Sequence, residues 1–61
     1  MELQEGLDFY RKCIEDAKST IRELMKDGSI PEERRKALID KLLDRMIEIQ
    51  KRIDAIEELL R

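Results

Sequence analysis

At 61 residues, with one cysteine and no histidine, the chain makes one domain at most and has no intrachain disulfide and no plausible zinc or haem staple. Charged side chains are 46% of the residues and aromatics 3%, yet 13 basic and 15 acidic groups interleave to a net charge of -2. That balance excludes the one-sided basic excess of a general nucleic-acid binder, and no run of roughly 18 apolar residues exists to cross a membrane.

The first predicted element is a helix from about residue 2 to 27. Leu3, Leu7, Tyr10, Ile14, Ala17, Ile21 and Leu24 recur at spacings of 4, 3, 4, 3, 4 and 3. Such a heptad seam lets one helix lie along another at a small crossing angle. Gly6 interrupts it with two readings open. Glycine there permits close approach of a second backbone, or it marks a frayed first turn, since glycine costs about 1 kcal/mol against alanine in a helix.

Asp27-Gly28-Ser29 reads as a tight turn. Gly28 is the expected left-handed residue closing helix 1, because it has no Cβ to clash. Ser29 and Glu32 match the spacing of a capping box, and Pro31 suits a first helical turn.

The second predicted helix runs from about 31 to 60. Its seam is Ile39, Leu42, Met46, Ile49, Ile53, Ile56 and Leu60, spaced 3, 4, 3, 4, 3 and 4. A loop of three or four residues makes the helices antiparallel neighbours. The expected fold is therefore all-α, a coiled-coil-like helical hairpin. Folding about Ser29 sets Ala17 near Leu42, Ile14 near Met46, Tyr10 near Ile49 and Leu7 near Ile53, and leaves Leu59 and Leu60 projecting past helix 1. Acid-before-base pairs at i, i+4 (Asp8-Lys12, Glu32-Lys36, Glu48-Arg52, Glu57-Arg61) support the solvated faces.

Apolar residues outside the two seams point to a further interface. Phe9, Cys13 and Met25 flank or leave the first seam, and Leu38, Leu43 and Ile47 widen the second. A wide apolar arc belongs to a helix with more than one neighbour. A chain this small buries only about 60% of its unfolded surface and needs a staple. With disulfide and metal set aside, a partner chain remains. The expectation is a homo-oligomer, a dimer before a higher assembly, forming a four-helix bundle through Phe9, Cys13, Leu38, Leu43 and Ile47, with Leu59 and Leu60 also needing cover. The corresponding role is non-enzymatic assembly. A small regulator docking the same face on another protein's helices is an alternative. A designed bundle is another: the clean caps and unbroken seams favour it, and Cys13, Gly6 and three methionines count against it.

Candidate chemistry is sparse. Without histidine there is no Ser-His or Cys-His dyad and no Glu-x-x-His di-metal motif. Cys13 reads as a redox thiol, an intersubunit disulfide or, more simply, a small buried hydrophobe. Glu15-Asp16, Asp40-Asp44 and Asp44-Glu48 are the nearest approaches to a cation site, without a calcium loop's glycine turn. Arg34-Arg35-Lys36 is the only basic run, read as a solvated helix start after Glu32 and Glu33. No cofactor, metal, nucleic-acid or membrane partner is expected. An unpaired cysteine and the absence of a signal-peptide pattern at Met1-Glu2-Leu3-Gln4-Glu5 suit a soluble cytoplasmic protein. The run Arg52-Ile53-Asp54-Ala55-Ile56-Glu57, followed by Leu59-Leu60, resembles the opening helix of the all-helical chorismate mutases. Their active site needs further cations on further helices, so what the resemblance implies here is shared heptad grammar.

Overall fold

The computed structural model describes residues 2–61 and contains two helices, α1 (Leu3–Lys26) and α2 (Glu32–Leu60). They pack against each other as an all-α hairpin of 44 × 16 × 15 Å. At 1.5 Å per residue, the 29 residues of α2 account for the long dimension.

The core follows the two seams. Leu7, Ile49 and Ile53 form its centre, with Tyr10, Cys13, Ile14 and Ile56 packed around them, and Ala17 is buried farther along. Among the described residues only these four hydrophobic side chains (Leu7, Ala17, Ile49 and Ile53) are buried, because a two-helix layer gives each helix one neighbour.

Gly6 lies inside α1 and is buried, so it does not mark a frayed turn, but the facing helix does not come close enough to require glycine. A Cβ built on it would meet Ile56 Cδ1 at 3.7 Å, an ordinary van der Waals separation. Alanine therefore fits, and it recovers the helix propensity that glycine forfeits. Gly6→Ala should raise stability by about 0.5–1 kcal/mol, visible as a higher midpoint in thermal or urea unfolding.

The turn is built differently from the expectation. Among the described residues no glycine has positive φ, so Gly28 is not a left-handed cap. Asp27 ends α1 instead, by leaving the helical region at φ -83°, ψ 103°, while its N–H still reaches the carbonyls of Glu23 and Leu24. Its carboxylate accepts hydrogen bonds from the Ser29 hydroxyl and from the Ser29 N–H at 2.9 Å. An aspartate that folds back onto the amide two residues on supplies the bend with its side chain, which removes the need for a left-handed residue. The capping box between Ser29 and Glu32 does not form, because α2 begins at Glu32 and Ser29 lies before its cap position. Pro31 stands at the start of α2 with φ -56° and ψ 143°, without a side-chain cap.

The Ser29 hydroxyl and N–H, and then the nearby Arg35, hold the Asp27 carboxyl below its ordinary pKa of 3.8. A lowered native pKa contributes stability that is present above the unfolded value and lost as the pH falls through the native one. Asp27→Ala should lower the melting temperature at neutral pH, and the deficit should shrink on acidification. Paired melting curves of native and variant chains check this.

Arg35 was read from sequence as part of a solvated basic run, but it is half-buried and turned into the loop. Its guanidinium donates to the carbonyls of Asp27 at 2.8 Å and Ile30 at 3.1 Å, tying the end of α1 to the start of α2. These are charge-assisted bonds to otherwise unused acceptors near helix ends. Its position explains this: Arg35 precedes Ile39 by four residues and so continues the α2 seam to the closed end of the hairpin.

The expected i, i+4 ion pairs are not the ones formed. The salt bridges are Glu15–Lys18, Glu48–Lys51 and Glu58–Arg61, all at i, i+3, and Arg11–Glu57 at 3.9 Å between the helices. All involve well-exposed groups, so each contributes little to stability.

Candidate interaction surface

Leu3, Phe9, Met25, Leu43, Ile47, Leu59 and Leu60 remain exposed. Two helices define two grooves, one on each side of the line of contact, and the exposed apolar residues distribute between them unequally.

The first groove is lined by Ile14 and Lys18 of α1 and by Leu43, Met46, Ile47 and Gln50 of α2. Ile14 and Met46 are half-buried in the hairpin seam and form its floor. Leu43 and Ile47 form its rim, 44% and 55% exposed. One helical turn separates these two, so their side chains stand side by side. Lys18 lines the opposite rim and pairs with Glu15 at 3.7 Å.

The other side carries Cys13 and Leu38, both half-buried. Cys13 lines a groove with Ala17, Thr20, Leu42 and Arg45, and Leu38 lines its continuation with Leu24 and Lys41. Leu38 and Leu43 are five residues apart, 500° of helical rotation, and so flank the seam on opposite sides. Arg45 and Lys41, both exposed, also line this side. Farther toward the open end, the Arg52 guanidinium stands 6.0 Å over the Tyr10 ring, and Phe9 meets the same ring edge-on at 5.7 Å. Tyr10 thus takes part in a small aromatic-cation cluster.

Phe9, Cys13 and Leu38 are therefore not brought together with Leu43 and Ile47. Leu59, 69% exposed, and Leu60, 48% exposed, lie at the end of α2, beyond the start of α1. The Leu43–Ile47 groove carries two exposed aliphatic side chains on its rim, whereas Cys13 and Leu38 on the other side are each half-buried.

Among the described residues no three His, Cys, Asp or Glu side chains come close enough to hold a metal ion together. Cys13 is a free thiol, half-buried against the core. None of the described helices is long and apolar enough to cross a membrane. No protein-family model matches the chain, and no curated protein or solved structure matches it.

Proposed function

We propose that this hairpin is an assembly module, whose activity is to self-associate into a homodimeric four-helix bundle without catalysing a reaction. The observation that carries this reading is the exposure of Leu43 and Ile47 on a groove floored by Ile14 and Met46, in a hairpin that buries only four hydrophobic side chains among its described residues. Burying a large aliphatic side chain contributes about 1.5–3 kcal/mol. Leu43 and Ile47 are 44% and 55% exposed, so closing the groove adds about half that value per residue, and a dimer counts each residue twice. Left open, the same strip makes an adhesive patch.

Light scattering across a concentration series tests the proposal. The expected result is a dimer that persists to low micromolar concentration, with helix content falling when dilution finally separates the chains. A well-folded monomer at micromolar concentration overturns it, and a helix of another protein then becomes the occupant to seek.

A further inference from the structure

Resting on the self-association reading above, we infer that the second copy docks antiparallel, α2 against α2, about a two-fold axis level with Arg45. The residues that follow successive seam positions on α2 form a second stripe, spaced 4, 3, 4, 3 and 4: Lys36, Asp40, Leu43, Ile47, Gln50 and Asp54. All six are exposed. The stripe is symmetric in a particular sense. An antiparallel pairing centred on residue 45 sets residue i against residue 90 minus i in the other copy.

In that register Leu43 meets Ile47 of the second copy, and Ile47 meets its Leu43, so the apolar pair is sealed at the centre. Asp40 meets Gln50. The Gln50 amide already donates one N–H to Asp54 at 3.0 Å and keeps another for Asp40. Lys36 meets Asp54 at both ends, nine residues or about 13 Å from the axis. Each polar group thus finds a complement, and the symmetry doubles every contact. The next step outward sets Glu33 against Glu57, and Glu57 is already held by Arg11 at 3.9 Å.

Parallel docking lacks this match. It keeps each residue at its own level, so α2 on α2 sets Lys36 beside Lys36 and Asp54 beside Asp54. With α1 laid over α2 instead, Leu43 faces the level of Lys18, its neighbour across the groove. Like charges and a lysine over leucine discriminate against both arrangements. The occupant of the groove is thus a second copy in one orientation, with Leu43 and Ile47 supplying affinity and Lys36 and Asp54 supplying register.

Charge exchange and cross-linking test this together. At low salt, Asp54→Lys should weaken the dimer about tenfold, because two attractive contacts become repulsive. Adding Lys36→Asp in the same chain should restore affinity to within about twofold of native. In a Cys13→Ser background, an equimolar mixture of Lys36→Cys and Asp54→Cys chains should oxidise mainly to the mixed 36–54 disulfide. A native dimer that ignores Asp54→Lys, or that yields mainly 36–36 and 54–54 disulfides, overturns the orientation and leaves self-association standing. A native chain that stays monomeric overturns both.

Discussion

The double variant Leu43→Asp/Ile47→Asp should be a monomer at concentrations where the native chain is a dimer, and it should have lost most of its helix. Each substitution removes a large aliphatic group from the proposed contact and puts a carboxylate in its place. In a bundle the change occurs four times, within a few ångströms of the axis. Dehydrating unpaired carboxylates there costs several kcal/mol each, well beyond the net stability of a small dimer. Unfolding should accompany dissociation, because a hairpin holding four buried hydrophobic side chains has little with which to offset its own chain entropy. Circular dichroism and light scattering on the same samples report both. Phe9→Asp is the informative control. Phe9 is 59% exposed and lies against Tyr10, away from the Leu43–Ile47 groove. That variant should keep the dimer and lose little helix. Equal damage from Phe9→Asp would move the interface to the other side of the hairpin.

Ile53→Ala should be the most damaging single truncation. Ile53 is 3% exposed at the centre of the core, in contact with Leu7 and Ile49. Truncation of such a residue typically costs 2–5 kcal/mol, part lost transfer energy and part cavity. A deep core relaxes only partly around such a cavity, but this one is a single seam between two helices. The void would open toward a groove and admit water, so the smaller end of that range is expected for cavity formation and the full transfer loss applies. Ile53→Val should cost only about 0.5–1.5 kcal/mol, since the β-branched shape remains. Urea midpoints at one fixed chain concentration give both values, because the stability of an associating protein depends on concentration.

Much of the fold was legible because heptad spacing is local. Seven apolar residues at 4-3 intervals determine which stripe of α1 turns inward whatever it meets, and the same holds on α2. Two complementary seams joined by a loop too short for any other route leave only an antiparallel hairpin. The pairing of Leu7 with Ile53 and of Tyr10 with Ile49 follows from counting outward from Ser29.

The turn was less legible for a chemical reason. Asp27, Gly28 and Ser29 support more than one bend. A left-handed glycine and an aspartate accepting from the second residue after it both end a helix, and sequence spacing does not rank them. The Asp27 carboxylate engages Ser29, with Arg35 placed to bond the carbonyls of Asp27 and Ile30. Arg35 looked like one of three adjacent cations, and its participation depended on where the returning helix placed it. Its only advance signal was its position four residues before Ile39.

The composition and spacing of this chain by themselves determined its helices, their inward faces, their antiparallel pairing and the presence of surplus apolar surface. These depend on periodicity and chain connectivity, which are properties of the sequence alone. Only the tertiary structure decided which side chains of α1 share each flank of α2. It placed Ile14 and Lys18 beside Leu43 and Ile47 on one side, and Cys13, Thr20 and Leu24 beside Leu38, Leu42 and Arg45 on the other. A helix seen alone has one continuous wide apolar arc. A second helix laid along its middle splits that arc in two, and what lies beside each half depends on where the returning chain sets its own residues.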